Sequence, residues 1–382
     1  MSVTAAQGFR AAGVAAGIKP AGLDLALVVN DGPSDAAAAV FTANRVKAAP
    51  VIWSQQAVAD GRLRAVVLNS GGANACTGPG GFADTHATAE RVAAVLRVGA
   101  GDVAVCSTGL IGERLPMPAV LAGVAAAAAA LGDHGRAAAE AIRTTDTVSK
   151  HAEFTHPDGW TLGGMAKGAG MLAPSLATML SVLTTDASVD KSILNDALRA
   201  AAERTFDRID SDGCLSTNDT VVLMASGASG VVPDAAEFAN AVEQVCRNLA
   251  LQLLADAEGS TKDVSIDVAG AASEADAVEV GRAIARNNLL KCAWFGNDPN
   301  WGRILAAVGT TSAAFEPDEL DVTINGIAVC RKGAAGDPRE LVDLSSRAVH
   351  IGIDLHAGPD RATIWTNDLS HGYVEENSAY ST

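Results

Sequence analysis

The amino-acid sequence predicts a protein of the α/β or α+β class. Short apolar runs rich in β-favouring residues alternate along the chain with stretches of helical periodicity. The chain has 382 residues, 48% of them hydrophobic, which is enough to bury a substantial core. The strand-like runs are LALVV (25–29), AVVLNS (65–70), VAVCSTG (103–109) and VSIDVAG (264–270), and the predicted helices cover 86–97, 118–131, 192–203 and 235–254.

Two glycine-rich runs follow early strands and predict tight turns. They are NSGGANACTGPGG at 69–81 and STGLIG at 107–112. Backbone amides in such turns can converge on an anion. Neither run has the spacing of a Walker A or GxGxxG motif, so nucleotide binding has only weak support.

A third landmark is the run GGMAKGAGMLAPSLATMLSVLTTDA, at 163–187. Its first half is interrupted by Gly and Pro, which predicts a loop, and its second half is apolar and β-favouring, which predicts a strand. Thr178 therefore lies near a loop-to-strand junction, where a strained peptide bond can be held.

Charge and cysteine content narrow the class of protein further. A formal net charge of −16 repels phosphate and anionic lipid, so we expect no nucleic-acid and no membrane partner, whereas a small cationic substrate is favoured. The six cysteines are scattered without a CxxC pair or a nearby His, so we expect reduced, mostly buried thiols and no metal. No secretory leader or bilayer-spanning run is recognisable, which predicts a cytoplasmic location.

Thr178 gains interest from the chemistry of threonine. A threonine hydroxyl is a weak nucleophile until a base removes its proton, and an N-terminal threonine can use its own α-amine as that base. Thr178 is internal, so this use requires the bond after Ala177 to be cut. The small Ala177 leaves its carbonyl open to attack by the Thr178 hydroxyl, a route that needs no protease. On these residues alone, the commoner meaning of ATML is a buried strand threonine bonded to backbone.

A family resemblance changes the balance between these two interpretations. The run KGAGMLAPSLATML resembles the processing site of the ornithine acetyltransferase family, the glutamate N-acetyltransferases of arginine biosynthesis, where the bond between Ala and Thr is cut. The resemblance is carried by long, ordered motifs that cover nearly the whole chain. The other motifs are NSGGANACTG (69–78), STGLIG (107–112), TTDT (144–147), DSDGCLSTNDT (210–220), EGSTK (258–262), GNDPNWGRI (296–304) and ENSAYST (376–382).

Position by position, the resemblance implies the parts of an active site. It implies a nucleophile at Thr178, freed by cleavage after Ala177, and an oxyanion hole at Thr108 and Gly109. A Thr-Gly turn at a strand end can offer an oxyanion a hydroxyl and a backbone N–H. The implied substrate contacts are Thr144, Lys167, Thr178, Glu258, Asn377 and Thr382.

The chemistry of the implied contacts is coherent. Lys167 suits an α-carboxylate as a point cation, and Glu258 suits the cationic amine of ornithine. Asn377 and Thr382 belong to a terminal segment, so their roles require the tail to dock back over the site. Several polar residues in the same motifs receive no direct role and are expected to support the site or cap turns: Glu113, Arg114, Asp146, Asp210, Asp212, Asn218 and Asp219.

The resemblance also implies a fold and a reaction. The fold is a layered α/β arrangement superficially like that of N-terminal nucleophile hydrolases, self-cleaved into interlaced chains 1–177 and 178–382. The reaction is ping-pong: N-acetylornithine acylates Thr178, ornithine leaves, and glutamate takes the acetyl group. No cofactor is implied, acetyl-CoA is expected only as a weak secondary donor, and the expected assembly is α2β2.

Two other functions remain open from the sequence. In an aminopeptidase or amidase, water would resolve the acyl-enzyme, and acetate would accumulate without glutamate. In a metabolite-binding protein, Thr178 would stay internal and the chain would remain whole. The histidines form no Ser-His-Asp pattern, and the proposed chemistry needs none.

Overall fold

The computed structural model describes residues 2–173 and 179–379. The helices are α1 (Ala49–Ala57), α2 (Gly78–Leu96), α3 (Met117–Ala129), α4 (Gly135–Ala141), α5 (Lys191–Arg204), α6 (Ala235–Ala255), α7 (Glu274–Ala285), α8 (Asn288–Phe295), α9 (Trp301–Val308) and α10 (His371–Ala379). The strands are β1 (Phe9–Val14), β2 (Leu25–Asn30), β3 (Ala36–Phe41), β4 (Ala65–Ser70), β5 (Val103–Thr108), β6 (Lys150–Thr155), β7 (Thr161–Lys167), β8 (Leu180–Thr185), β9 (Thr220–Ala225), β10 (Asp263–Ala271), β11 (Asp321–Ile324), β12 (Ile327–Arg331), β13 (Ala334–Ala335), β14 (Ala348–Asp354) and β15 (Asp360–Asn367).

A four-stranded sheet with the order β1-β2-β4-β5 forms one inner layer. Strands β4 and β5 are parallel and are joined by the crossover helix α2. Every residue of β2, β4 and β5 is buried, so both faces of the sheet are covered. This explains why these runs are continuously apolar instead of alternating. The outer face packs against α2 and α3 through residues such as Val67, Val92 and Val120.

A five-stranded sheet with the order β3-β9-β8-β7-β6 forms the second inner layer. Its inner face, with Val182 and Val222, packs on Val28 and Leu68 of the four-stranded sheet. Its outer face, including Leu183, packs on α5 and α6. The order of layers is thus helix, sheet, sheet, helix, which confirms the predicted layered α/β class.

The central strand of the five-stranded sheet, β8, begins two residues after position 178. Its neighbours are β7, which precedes the proposed cleavage position, and β9, which follows it. Residues on both sides of that position therefore share one sheet. The division into chains 1–177 and 178–382 remains a prediction, and it would not coincide with a boundary between packed layers.

A six-stranded sheet with the order β13-β12-β11-β14-β10-β15 is built from the C-terminal part of the chain. It has its own core, in which Ile266 and Ile351 pack with Val280 of α7, Trp294 of α8 and Ile304 of α9. Strand β10 pairs in parallel with β14 and antiparallel with β15.

The predicted elements are present, with one boundary that was wrong by eight positions. Helix α2 begins at Gly78 and not at 86, because the GPGG run predicted as a turn forms its first turn. Pro79 fits that first turn, where its missing N–H is not needed. Gly81 is required by packing, since a Cβ there would lie 1.8 Å from Thr77 Oγ1. The STGLIG turn is confirmed, with Gly109 and Gly112 at positive φ.

Two expectations from composition can be compared with the described residues. No helix within 2–173 and 179–379 combines the length and apolar character needed to cross a bilayer. The cysteines are free thiols, but only half are buried: Cys106, Cys246 and Cys330 are buried, and Cys76, Cys214 and Cys292 are exposed. The expectation of mostly buried thiols was therefore wrong for three of them.

Candidate active site

The ends of strands from both inner sheets converge at one place. Thr108 is the last residue of β5 and Lys167 the last residue of β7. Lys167 pairs with Leu180 at the start of β8, and Leu180 pairs in turn with Thr220 at the start of β9. Position 178 precedes this start of β8 in the sequence.

A pocket at these strand ends collects the predicted site residues that the structure describes. Ala177, Thr178 and Thr382 lie outside the described residues. The predicted residues lining the pocket are Thr108, Gly109, Thr144, Lys167, Glu258 and Asn377.

The backbone geometry at position 109 requires glycine. Its φ is +128°, a conformation that side-chain-bearing residues rarely adopt, and an added Cβ would lie 2.6 Å from the backbone nitrogen of Gly72. The Gly72 N–H donates to the Thr108 carbonyl at 3.0 Å. The turn after β5 is therefore folded tightly against the 71–72 backbone.

Lys167 and Thr108 are joined directly. The Lys167 ammonium is fully buried and donates to Thr108 Oγ1 at 3.2 Å. Because the hydroxyl oxygen accepts this bond, its own proton is free to be donated elsewhere. Burial lowers the pKa of Lys167, and the nearby Asp146 carboxylate opposes that effect.

Asp146 joins two chain segments that contribute residues to the pocket, the one at Thr144 and the one that follows Lys167. Its Oδ2 accepts from the Thr144 amide at 3.0 Å, and its Oδ1 accepts from the Gly168 amide and from Lys150 Nζ, each at 2.6 Å. Burial would raise the pKa of this carboxyl, but the charges of Lys167 and Lys150, together with the hydrogen bonds from Lys150 and the Gly168 amide, lower its pKa to about 2. Asp146 is thus a permanent anion that neutralises the buried cations, in agreement with the expected supporting role.

Glu258 follows α6 and lies beside the segment after β7, where its N–H donates to the Ala169 carbonyl at 3.0 Å. Its Oε1 accepts from Thr145 Oγ1 at 2.7 Å and its Oε2 from Asn377 Nδ2 at 2.9 Å. Asn377 belongs to α10, so the C-terminal helix does dock back against the pocket. A Cβ on Gly170 would lie 2.6 Å from Glu258 Oε1, so the absence of a side chain at this position leaves room for the carboxylate.

Among the other residues that line this pocket, Thr145 and Gly170 were missed by sequence reasoning, whereas Asn218 was expected in a supporting role. Thr145 and Gly170 shape the place of Glu258, and Asn218 ties two backbone segments together. All three stand inside the motifs quoted above, which was the available signal. The sequence does not show that a hydroxyl, a missing side chain and an amide converge from such distant positions.

The described residues offer one cluster able to hold a metal ion, formed by His156, Asp158 and Glu237 with ligand atoms within 4.8 Å of one another. None of these side chains lines the pocket. The pocket itself presents an ammonium, hydroxyls, an amide and a carboxylate, which are groups that bind a polar zwitterion.

Fold and pocket together define a layered α/β protein with a polar site where strand ends of two stacked sheets meet. The profile of the ArgJ family matches residues 10–382. The chain therefore belongs to the ArgJ family, a family of arginine-biosynthesis enzymes.

Relatives match over the full length. The arginine biosynthesis bifunctional protein ArgJ of Streptomyces avermitilis is 66% identical over 384 residues and that of Thermobifida fusca 67%, with 100% of this chain and of each relative covered. A solved chain of the Bacillus halodurans protein of the same name is 36% identical, with a TM-score of 0.50. It covers 52% of this chain and 97% of its own length.

Proposed function

We propose that this protein transfers the acetyl group of N-acetyl-L-ornithine to L-glutamate through an acetyl ester on Thr178. The observation that carries the proposal is that every described residue with an implied role lines one pocket, beside the start of the strand that Thr178 precedes. Family membership supports the same chemistry. Thr178 lies outside the described residues, so its role is proposed from its position in the sequence, two residues before β8.

The proposed nucleophile is activated by its own α-amine. The neutral amine takes the hydroxyl proton while Thr178 Oγ attacks the acetyl carbonyl. The C–N bond to ornithine then breaks, the proton passes to the leaving amine, and acetyl-Thr178 remains. The neutral amine of glutamate attacks this ester, and its proton returns to Thr178 Oγ as N-acetylglutamate leaves.

The negative oxygen formed in each half-reaction is assigned to Thr108 and Gly109. Lys167 donates to Thr108 Oγ1, so the Thr108 hydroxyl is oriented to donate into the pocket. A fixed donor of this kind contributes about 2.7–4 kcal/mol of transition-state stabilisation. A buried cation behind it adds to the positive potential felt by the oxyanion.

Substrate recognition is assigned to the two charged side chains that line the pocket, Lys167 and Glu258. Thr108 Oγ1 is the hydrogen-bond acceptor of Lys167 Nζ within the described ranges, which leaves two N–H groups for a substrate α-carboxylate. Glu258, held by Thr145 and Asn377, faces the δ-ammonium of ornithine. Glutamate shares the α-carboxylate and would use the same cation.

Exposure of the α-amine is assigned to self-cleavage. Thr178 Oγ attacks the Ala177 carbonyl, the peptide C–N bond breaks, the hydroxyl proton passes to the freed amine, and water hydrolyses the resulting ester. The Bacillus halodurans match supports a divided chain, because 97% of that solved chain corresponds to 52% of this one, close to the share of residues 178–382.

The decisive experiment combines chain analysis with a half-reaction. Denaturing mass spectrometry should find two chains, the second starting at Thr178, while Thr178→Ala should give one intact and inactive chain. Thr178→Ser is the matched control, because it keeps a hydroxyl and should still cut slowly.

The half-reaction is measured without an acceptor. N-acetylornithine alone should release one equivalent of ornithine per active site and add the mass of one acetyl group to the peptide that begins at Thr178. Continuous acetate release would identify an amidase instead. A stable full-length wild-type chain would overturn the proposal and favour a binding protein.

A further inference from the structure

Two adjacent buried residues, Asn218 and Asp219, connect the strands that frame the proposed reaction centre. They stand immediately before β9 and are 4% and 0% exposed. One reaches the end of β5 and the other reaches the start of β8. Neither has a direct role in the chemistry assigned above.

Asn218 fastens the end of β5. Its Nδ2 donates to the Ser107 carbonyl at 2.8 Å and to the Ala73 carbonyl at 2.7 Å. Ser107 is bonded covalently to Thr108, so this amide fixes the strand end that carries the proposed oxyanion hole. Thr217 Oγ1 donates to Asn218 Oδ1 at 2.6 Å and holds the amide in this orientation.

Asp219 fastens the start of β8. Its Oδ1 accepts at 3.0 Å from the Met179 N–H, which belongs to the peptide bond between Thr178 and Met179. The Met179 carbonyl accepts from the Thr220 N–H at 3.1 Å. Both backbone groups of Met179 are therefore fixed by consecutive residues of the β9 segment, next to the proposed nucleophile.

We propose that Asn218 and Asp219 act as a positioning pair that sets the distance between the Thr178 nucleophile and the oxyanion hole at Thr108. This inference rests on the proposed function. Asp219 acts through the backbone of Met179 and Asn218 through that of Ser107, so neither is a catalytic residue. The pair serves self-cleavage and acetyl transfer alike, because both need Thr178 Oγ and the oxyanion donors in one geometry.

Asp219 differs from a carboxylate that only holds the fold. Asp186, at the opposite end of β8, uses both oxygens: Oδ1 accepts from the Thr161 amide at 2.7 Å and Oδ2 from the Gln7 amide at 2.9 Å. Asp219 Oδ2 has no hydrogen-bond partner within residues 2–173 and 179–379. Leaving a buried oxygen unpaired destabilises the fold, which is acceptable where function requires the residue.

Burial also affects the form of the Asp219 side chain. It raises the pKa of Asp219 well above the ordinary value, although the hydrogen bond from the Met179 amide and the Lys167 charge oppose it. Asparagine is then the conservative replacement, since it presents a neutral group of the same shape and keeps an oxygen for Met179. Alanine removes that acceptor.

The test compares Asp219→Ala, Asp219→Asn and Asn218→Ala with the control Asp186→Ala in the full chain. Self-cleavage is followed by the appearance of the second chain, and kcat and KM are normalised to the cleaved fraction. A misplacement near 1 Å costs about 100-fold in rate, so Asp219→Ala should lose about that factor in both cleavage and kcat. KM for N-acetylornithine should stay within about threefold, since ground-state contacts are kept.

Rescue and stability decide the interpretation. Asp219→Asn should recover at least about a tenth of the wild-type rates, whereas Asp186→Ala should lower Tm but leave the cleavage rate of folded protein unchanged. Wild-type rates in Asp219→Ala, or equal slowing in Asp186→Ala, would overturn the inference. If Asp219→Ala does not fold, the rates of Asp219→Asn are used instead. A loss of self-cleavage in Asp219→Asn as complete as that in Thr178→Ala would contradict the positioning role. An uncut wild-type chain would instead refute the proposed function.

Discussion

At the residue scale, the pocket depends on burying charges that compensate each other. Lys167 and Lys150 are both fully buried, and Asp146 is 4% exposed. Lys150 Nζ also donates to Asp256 Oδ2 at 2.6 Å. Removing one partner from such a cluster leaves the other charges unpaired in the protein interior, which solvates charge poorly.

Asp146→Asn should therefore destabilise the protein by about 3–5 kcal/mol near neutral pH, measured as the free energy of unfolding in urea. The folded-state pKa of Asp146 is lowered from 3.8 to about 2, so its contribution is present above pH 3.8 and is lost as pH falls toward 2. The difference in the free energy of unfolding between Asp146→Asn and the wild type should therefore shrink as the pH falls from 3.8 toward 2. Asp318→Asn, at an exposed carboxylate, is the control and should leave the free energy of unfolding near neutral pH within about 0.5 kcal/mol of the wild-type value.

The Lys167–Thr108 contact predicts two distinguishable defects. Thr108→Ala should lower kcat by about 10²–10³ with little change in KM, because a transition-state donor is lost. Lys167→Ala should change both constants, since it removes the carboxylate partner and the group that orients the Thr108 hydroxyl. Thr108→Ser, which keeps the hydroxyl, is the control. The measurement is steady-state kinetics, and equal changes of kcat and KM in Thr108→Ala and Lys167→Ala would mean that the two roles are misassigned.

At the element scale, α10 completes the pocket from the far end of the chain. Its start packs closely on the loop after α6, where a Cβ on Gly259 would lie 2.1 Å from the Tyr373 backbone nitrogen. Its Asn377 then reaches Glu258. A tail that would ordinarily fray is thus tied to the proposed amine-binding carboxylate.

Asn377→Ala should reduce kcat/KM for N-acetylornithine about tenfold, because a hydrogen bond to a charged group is worth about 1.5–3 kcal/mol. The loss should lie mainly in KM. Ser378→Ala, on the next residue of the same helix, should be nearly silent. Equal effects of the two substitutions would mean that α10 contributes through its packing and not through the hydrogen bond between Asn377 and Glu258.

At the scale of the whole molecule, net charge and local charge differ. The chain carries a net charge of −16 and shows no Lys/Arg cluster in sequence near the quoted motifs. The fold nevertheless assembles a groove between α5 and α7 that contains five cations and four acids. Its charged lining residues are Lys47, Arg199, Glu203, Asp207, Arg208, Glu274, Glu279, Arg282 and Arg286.

N-acetylornithine should still be a better acetyl donor than acetyl-CoA. Glu258 favours a donor with an amine, and the acids in the groove offset its arginines for a phosphate-bearing ligand. Comparing kcat/KM for the two donors, with glutamate as acceptor, checks this. An acetyl-CoA value equal to or above that for N-acetylornithine would show that the charge argument fails.

Local signals located much of this molecule in advance. The runs at 65–70 and 103–109 became β4 and β5, because continuous β-favouring apolar residues have few alternatives when both faces are buried. The start of α2 was missed because glycine served close packing at Gly81, and glycine in a sequence signals a turn equally well. The candidate residues were available only through family motifs, since spacing alone does not relate position 108 to 258 or 377.

The sequence by itself determined the layered α/β class and the candidate residues, because hydrophobic period and ordered motifs are properties of neighbouring positions. Only the tertiary structure decided which of those residues meet. Lys167 bonds Thr108, Asn377 bonds Glu258, and Asp219 bonds Met179, each across a separation of 40 residues or more. Such contacts arise from sheet order and layer packing, which fix distances between distant parts of the chain that no local pattern encodes.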